Sequence, residues 1–202
     1  MTATCTAVWL CDASEVSEAK LVALSTALGD SERDRMKRFV RAERLRQFVV
    51  GRILLREMLG GLLNAAPISI DLIERPGLAP LLISKDVAHF SISHSGHWVG
   101  CTASSSTALG LDIERIDQRR DILALAEQAF GLHEVALLRA AAPSVRHQLF
   151  YRLWCAHEAG IKLGQTSAVD YPLDLPGLTG VVACAAPLDA APALELVRLQ
   201  DL

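Results

Sequence analysis

The sequence has no basic excess, no long apolar run and no basic region at its first residues. Its 202 residues carry a formal net charge of −3, which argues against a protein that binds nucleic acid through a general positive field. No apolar run approaches the roughly 18 residues of a membrane span, and the first residues lack the basic region of a signal peptide. We therefore expect a cytoplasmic protein with neither nucleic acid nor membrane as a partner.

Cysteine pairs are also missing. The five cysteines are scattered, odd in number and contain no Cys-x-x-Cys pair. This pattern argues against a disulfide framework and a structural zinc site, and it fits a reducing compartment. What is present is 51% hydrophobic residues, in a chain long enough to bury a substantial core as one domain or two small ones.

The predicted elements follow an order of strand, helices and strands, once before about residue 105 and again after it. Before about residue 105, the pattern predicts a strand at 3–11 and then a helix that follows a capping signal at 12–14 and ends at about Leu28. It also predicts a charged helix from Ser31 to about Leu63 with a break near Val40. Further strands are predicted at 88–93, 98–103 and 108–114, the last two joined as a hairpin. The second part predicts helices at 121–130, 133–141 and 144–164, then a loop-rich tail with strands at 181–185 and 194–199. The pattern predicts an α+β protein with halves 1–105 and 106–202.

Two carboxylates stand one residue apart on the strand at 108–114. Asp112 and Glu114 point from the same face of that strand, so their like charges need a cation or an arginine nearby. Magnesium suits hard oxygen ligands and takes one or two protein carboxylates together with water and phosphate oxygens. The alternative is an ordinary exposed strand end, and the Asp-x-Glu pattern alone does not exclude it.

Glu158 and Lys162 lie four residues apart on the helix at 144–164 and therefore share a face. One interpretation is a stabilising ion pair worth a few tenths of a kcal/mol. The other makes Glu158 a metal ligand or a general base and Lys162 a cation for a phosphate.

His94 lies in a Ser-His-Ser-Gly turn after a strand, where backbone N–H groups, hydroxyls and the imidazole can all donate to an anion. Phosphate binding is the natural use. A metal site made by His89, His94 and His97, or a Ser-His nucleophile pair, is less well supported, because the first lacks a fourth ligand and the second lacks a nucleophile elbow.

Three segments together resemble the 4′-phosphopantetheinyl transferases of the surfactin-synthetase-activating type. They are Phe90-Ser-Ile-Ser-His-Ser-Gly-His-Trp98, Gly110-Leu-Asp-Ile-Glu114 and Trp154-Cys-Ala-His-Glu-Ala-Gly-Ile-Lys162. Arg38-Phe39 and Gly51-Arg-Ile-Leu-Leu-Arg56 match two earlier motifs of the family. The resemblance covers about residues 5–165.

The resemblance implies a monomer of two similar α+β subdomains related by pseudo-twofold symmetry, with coenzyme A in the cleft between them. It implies that Asp112, Glu114 and Glu158 hold Mg²⁺ and that Glu158 deprotonates the attacking serine of an apo acyl or peptidyl carrier protein. It also implies roles for several residues in binding coenzyme A, with His94 on the 3′-phosphate and Lys162 on the diphosphate. The other predicted contacts are Ser93, Arg46, Arg52 and His157.

The sequence departs from the family pattern at several positions. His157 replaces a lysine, and it also falls on an apolar helix stripe that suits a packed structural histidine. Ala79 stands where the family has a basic residue. Gln47 lies near a position that is often arginine, and Arg46 or Arg44 would substitute in a shifted register. The segment after Lys162 is short, which predicts a trimmed C-terminal subdomain.

The resulting hypothesis is a magnesium-dependent transfer of phosphopantetheine from coenzyme A to a carrier-protein serine. A non-catalytic or weakly active coenzyme A-binding homologue is the alternative, motivated by His157 and Ala79. An unrelated metal-dependent phosphohydrolase that uses the same carboxylates is a more distant third.

Overall fold

The computed structural model describes residues 6–165 and 168–201, and its fold is the expected α+β class. The first residues of the predicted strand at 3–11, with Cys5, lie outside the described residues. The strands are β1 (Ala7–Asp12), β2 (Asp71–Ile73), β3 (Leu81–Ile83), β4 (His89–Ser95), β5 (Trp98–Ser104), β6 (Leu109–Arg115), β7 (Val169–Leu175), β8 (Leu178–Cys184) and β9 (Ala193–Leu196). The helices are α1 (Glu18–Ser25), α2 (Asp30–Met36), α3 (Ala42–Leu63), α4 (Ile122–Ala129), α5 (Leu132–Ala140) and α6 (Pro143–Leu163).

The predicted break in the charged helix is confirmed. Helix α2 ends at Met36, α3 begins at Ala42, and Val40 between them is 99% exposed. Glu32 helps to start α2, because its carboxylate accepts a hydrogen bond of 2.7 Å from the backbone N–H of Gly29. Helix α3 ends at Asn64, which has the left-handed conformation typical of a C-terminal cap.

Two sheets form most of the fold. The first sheet has the strand order β4-β5-β1-β9 and is antiparallel except where β9 runs parallel to β1. The second sheet has the order β6-β8-β7 and is antiparallel throughout. Strands β2 and β3 form a separate pair. Because β9 joins the first sheet, the range 106–202 supplies strands to both sheets.

The predicted hairpin between 98–103 and 108–114 is wrong. Strand β6 pairs with β8, with Asp112 opposite Val181, and it belongs to the second sheet. The hydroxyl of Ser104 accepts from the backbone N–H groups of Ser106 and Thr107, and this local turn leads the chain from one sheet to the next. Turn-forming residues therefore mark a crossing between sheets here.

The tail from Gln165 was expected to contain strands only at 181–185 and 194–199, and it contains one more. Strand β7 includes Pro172, which cannot donate a backbone hydrogen bond to a neighbouring strand. It is tolerated because β7 pairs only with β8 and is the edge strand of the second sheet.

The two long helices pack closely on the sheets at glycines. Helix α3 crosses the first sheet at Gly51, where an added Cβ would lie 3.3 Å from a Val99 methyl group. Helix α6 crosses β6 at Gly110, where an added Cβ would lie 2.1 Å from the carbonyl oxygen of Ala159. These contacts set the positions of α3 and α6 relative to the strands that carry the motifs.

The described cysteines, Cys11, Cys101, Cys155 and Cys184, are buried free thiols. None of the helices within residues 6–165 and 168–201 combines the length and apolar character of a membrane span.

Candidate phosphate-binding cleft

A cleft of about 560 Å³ lies between α3, β4 and the C-terminal end of α6. Helix α3 contributes polar and aromatic side chains, including Arg44 and Phe48, and β4 contributes Ile92 and His94. Lys162 of α6 lines the opposite side. The Gly77-Leu78-Ala79-Pro80 turn also lines the cleft, so Ala79 lies at the ligand-sized space where the family resemblance led us to expect a basic residue.

Three serines on one face of β4 join the two sheets. The hydroxyls of Ser91, Ser93 and Ser95 accept hydrogen bonds from the backbone N–H groups of β6 residues Leu111 (2.9 Å), Ile113 (3.2 Å) and Arg115 (3.0 Å). The spacing of two places all three hydroxyls on the same face of the strand. We call this arrangement the serine ladder. It fixes the register between β4, which carries His94, and β6, which carries the carboxylates.

The ladder also holds the carboxylate of Asp112. Ser93 donates its hydroxyl proton to Asp112 Oδ1 at 2.8 Å, and Lys162 Nζ donates to the same oxygen at 2.8 Å. The Lys162 ammonium also bonds Ser93 Oγ at 3.1 Å and the carbonyl oxygen of Leu111 at 2.9 Å. The Asp112 side chain is only 9% exposed and is not among the residues that line the cleft, whereas its partner Lys162 is.

Glu114 has a different environment two residues further along β6. Ser95 donates its hydroxyl proton to Glu114 Oε2. Burial and the neighbouring charge of Asp112 raise the pKa of Glu114, while the Ser95 hydrogen bond opposes that shift. A carboxylate held in this way gains from a nearby cation.

Cys155 packs behind the carboxylates. Burial raises the pKa of the Cys155 thiol, and the negative charges of Asp112 and Glu114 raise it further. The thiol therefore stays protonated, which agrees with the expectation that Cys155 serves packing.

Within the described ranges 6–165 and 168–201, no group of three His, Cys, Asp or Glu side chains is arranged to hold a metal ion. Glu158 thus does not complete a three-residue group with Asp112 and Glu114. Two of the predicted ligands nevertheless fit the chemistry of magnesium. Asp112 Oδ2 is buried and has no hydrogen-bond partner within the described chain, and Glu114 supplies a second hard oxygen donor.

Arg44 is the cation that the structure places beside His94. Its Nη1 lies 3.1 Å from His94 Nδ1 and 3.0 Å from Gln47 Oε1, and the Gln47 amide in turn donates to the carbonyl oxygen of Gly96 at 2.5 Å. Desolvation and the Arg44 charge lower the pKa of His94, so the ring is neutral near pH 7. The sequence signal for Arg44 was the replacement of a common family arginine by Gln47.

The other predicted arginines are committed elsewhere. Arg46 donates to the carbonyl oxygens of Ala13 (3.2 Å) and Val16 and pairs with Glu18, so its guanidinium points away from the cleft. Arg52 does line the cleft, but its Nε lies 2.5 Å from Glu74 Oε1, and its guanidinium covers the Phe48 ring at 4.7 Å.

His157 faces a different part of the surface. Its Nε2 lies 2.7 Å from Glu134 Oε1, and its ring meets the edge of Phe130 at a centroid distance of 5.1 Å. It is not part of the cleft lining. The His157 side chain is 44% exposed, so its contacts with Glu134 and Phe130 lie at the surface and do not make the packed histidine that the helix stripe suggested.

A cleft that offers Arg44, His94 and Lys162, with two carboxylates behind the lysine, suits a phosphate-bearing ligand. Two family models match the chain. Residues 108–178 match the 4′-phosphopantetheinyl transferase superfamily, and residues 14–106 match the N-terminal domain of 4′-phosphopantetheinyl transferases.

Known relatives agree with these matches. The chain is 30% identical to the 4′-phosphopantetheinyl transferase ffp of Bacillus subtilis over 161 residues, which are 79% of this chain and 69% of that protein. It is 30% identical to the 4′-phosphopantetheinyl transferase HetI of Nostoc sp. over 148 residues, 72% of this chain and 62% of the relative. Sfp of Bacillus subtilis is 29% identical over 147 residues, 73% of this chain and 64% of the relative. The chain belongs to the 4′-phosphopantetheinyl transferase superfamily, and its matches span about two thirds of these relatives.

Proposed function

We propose that the protein is a 4′-phosphopantetheinyl transferase. It moves the phosphopantetheine arm of coenzyme A to a serine of an apo acyl or peptidyl carrier protein, with Mg²⁺, and releases 3′,5′-ADP. The observation that carries the proposal is the juxtaposition of Lys162 with Asp112 at the edge of a cleft that also holds Arg44 and His94. The family membership gives this geometry its chemical interpretation.

In this proposal the cleft walls bind the phosphates of coenzyme A. His94 and Arg44 lie on the side formed by β4 and α3, whereas the Lys162 ammonium lies on the α6 side and meets the diphosphate. Asp112 and Glu114 would hold Mg²⁺, which when bound supplies neutralisation of the charge that develops on the leaving diphosphate oxygen. The Lys162 ammonium can neutralise the same developing charge, because it already lines the cleft.

Glu158 is the proposed general base. Within the described chain its partly buried carboxylate has no hydrogen-bond or ion-pair partner, and it lies one turn before Lys162 on α6. An unpaired carboxylate is free to accept the proton of the attacking serine hydroxyl. The serine oxygen then forms a bond to the β-phosphorus, and the bond to the 3′,5′-ADP oxygen breaks.

The carrier protein would dock beside the cleft. Ile161 lines the cleft and is 71% exposed, and Val40 lies on the exposed connection between α2 and α3. Apolar residues at such a rim suit a helix of the carrier, while the exposed arginines among residues 33–46 suit its acidic surface. The proposal further includes a cytoplasmic monomer whose two halves are related by pseudo-twofold symmetry.

A coenzyme A-binding homologue with little or no transferase activity is the second candidate. It is favoured by the pairing of His157 with Glu134, since this residue replaces a family lysine and does not line the cleft. Ala79 at the cleft wall favours it as well.

Mass spectrometry of an apo carrier protein separates the two candidates. The protein is incubated with coenzyme A, Mg²⁺ and several apo acyl and peptidyl carriers, and each carrier is examined for the phosphopantetheine increment. The first candidate predicts the increment, and it predicts none when Mg²⁺ is replaced by a chelator. Binding of coenzyme A without transfer to any carrier would favour the second candidate.

Glu158→Gln gives the sharper version of this test. The substitution should lower the transfer rate by about 10²- to 10⁴-fold while coenzyme A affinity is retained, because it removes a proton acceptor and no bonded contact. Glu57→Gln is the matched control, since Glu57 is also a partly buried glutamate of a long helix but lies on α3 and not one turn before Lys162. Neither glutamate is among the residues that line the cleft. Equal rates for the two variants would remove Glu158 from the mechanism.

A further inference from the structure

A chain of hydrogen bonds connects the β4–β5 turn to the cleft. The carbonyl oxygen of Gly96 accepts from Gln47 Nε2 at 2.5 Å, and this contact orients the Gln47 amide. Gln47 Oε1 then faces Arg44 Nη1 at 3.0 Å, and the same Arg44 nitrogen lies 3.1 Å from His94 Nδ1. Gln47 itself is buried, so its orientation does not depend on solvent.

The direction of these bonds fixes the proton of His94. A guanidinium has donors but no acceptor and keeps its charge at any relevant pH, so Arg44 can only donate to His94 Nδ1. In the neutral ring the proton is then on Nε2, which becomes a hydrogen-bond donor. The charged groups that act on this ring from the surrounding elements are Arg44 of α3, Lys162 of α6 and Asp112 of β6.

Arg44 differs from its neighbouring cleft arginines because it has no carboxylate partner within the described chain. Arg35 and Arg52 both pair with Glu74, at 2.6 Å and 2.5 Å. Arg44 uses only Nη1 in its two contacts, which leaves its other N–H donors for a ligand. It is thus an exposed cation with uncommitted donors at the cleft, next to a histidine donor.

We propose that Gln47, Arg44 and His94 work as one phosphate-binding unit. Gln47 is the positioning residue that holds Arg44, Arg44 places the His94 proton on Nε2, and the Arg44 guanidinium and His94 Nε2–H together bind a phosphate monoester. This proposal rests on the proposed function, in which that monoester is the 3′-phosphate of coenzyme A. Within it, Arg44 supplies the permanent positive charge that Ala79 and the displaced His157 do not bring to the cleft.

The first test is the protonation pattern of His94 in the free protein. Two-bond ¹H–¹⁵N correlation spectra of ¹⁵N-histidine-labelled protein at pH 7 should show His94 as the tautomer protonated at Nε2. The Arg44→Ala variant should lose this preference and show a mixture. Arg41→Ala is the matched control, because Arg41 is an exposed arginine three residues earlier and is not part of the cleft lining. It should give the unchanged spectrum.

The second test is calorimetric binding of coenzyme A and 3′-dephospho-coenzyme A. Arg44→Ala should weaken coenzyme A binding by about 10- to 100-fold, which is typical for a lost charged hydrogen bond, and leave the dephospho ligand unaffected. Arg44→Lys should restore part of the affinity. Gln47→Leu removes both the acceptor for Arg44 and the donor to Gly96, so it should weaken coenzyme A binding in the same direction, once thermal unfolding has verified that the variant folds.

The outcomes separate the two levels of the proposal. A His94 tautomer protonated at Nδ1, or equal coenzyme A affinities of Arg44→Ala and Arg41→Ala, would overturn the unit. An equal loss for both ligands would also overturn it, because Arg44 would then not act on the 3′-phosphate. Failure of the unmodified protein to bind coenzyme A would overturn the proposed function and the 3′-phosphate assignment, whereas the tautomer spectra would still decide whether Arg44 controls His94.

Discussion

The α3 side and the β6 side of the cleft region use charge in opposite ways. On α3, most of the conspicuous arginines are committed to the fold: Arg56 pairs with the buried Glu32 at 2.5 Å, and Arg52 pairs with Glu74. On β6, Asp112 and Glu114 are few and close together, and each is held by a serine hydroxyl. The number of arginines therefore exaggerates the capacity of α3 to bind anions, whereas two residues of β6 form a compact acidic centre.

The largest expected effect comes from breaking the contact that places α6 over β6. Gly110→Ala should lower the free energy of unfolding by more than about 3 kcal/mol, because the new Cβ would lie 2.1 Å from the carbonyl oxygen of Ala159 and 2.8 Å from the backbone nitrogen of Leu163. It should also move Lys162 away from Asp112 and abolish transfer. Urea unfolding and the carrier mass assay measure the two effects.

Gly61→Ala is the control for Gly110→Ala and changes a glycine of α3 that has no close neighbour. Gly61 lies in α3, and an added Cβ would meet nothing within 4 Å. Alanine favours a helix by about 1 kcal/mol relative to glycine, so this variant should be slightly more stable than the unmodified protein. Destabilisation of equal size in both variants would contradict the close packing at Gly110.

A second prediction compares two arginines that line the same cleft. Arg52→Met should cost about 2 kcal/mol of stability, because Glu74 and Glu32 lose a buried cation, although Arg35 and Arg56 remain to pair with them. Arg44→Met should change stability by no more than about 0.5 kcal/mol, since its side chain is exposed and has no carboxylate partner in the described structure. Chemical denaturation measures both, and similar losses would mean that Arg44 is structural too.

The smallest expected effect is the pH dependence that Glu114 gives to the free energy of unfolding. The pKa of Glu114 is raised above its ordinary value, chiefly by burial and then by Asp112, so ionisation of Glu114 disfavours the folded state. Its contribution to stability is present below the pKa of the unfolded chain, about 4.3, and is lost as the pH rises through the folded pKa. Glu114→Gln should therefore gain in stability relative to the unmodified protein as the pH rises above about 4.3.

Unfolding curves recorded with a chelator over this pH range measure the gain. Ser95→Ala should raise the pKa of Glu114 further and should therefore lose more stability than the unmodified protein as the pH rises, because the Ser95 hydroxyl favours the charged carboxylate. A stability difference between Glu114→Gln and the unmodified protein that does not vary with pH would contradict the raised pKa.

Local patterns were sufficient for much of this fold. The spacing of apolar residues correctly predicted α3 and α6, and the break near Val40 separates α2 from α3. The strand that carries Asp112 was also predicted, because alternating residues between turn signals report directly on strand geometry. The strand predicted at 88–93 ends too early, since β4 continues to Ser95 and His94 lies on the strand and not in the turn after it.

The errors concern relations between distant segments. The sequence around residues 104–107 looks like a hairpin, but the partner of β6 is β8, some 70 residues later. The Arg46 guanidinium is oriented by Glu18 and by backbone carbonyl groups that precede α1. The spacing of residues within α3 contains no information about these contacts. His157 likewise depends on Glu134 of another helix. The family motifs were recognisable in the sequence. The ion-pair and hydrogen-bond partners that decide whether each side chain can bind a ligand were not.

The serine ladder also protects an edge of the second sheet. Strand β6 pairs with β8 on one side only, and the backbone N–H groups of Leu111, Ile113 and Arg115 point towards the serine hydroxyls of β4. Unpaired donors on a strand edge are a template for strands of other molecules, and this is a common route to aggregation. The same hydroxyls that hold the acidic centre thus keep this edge from recruiting a foreign strand.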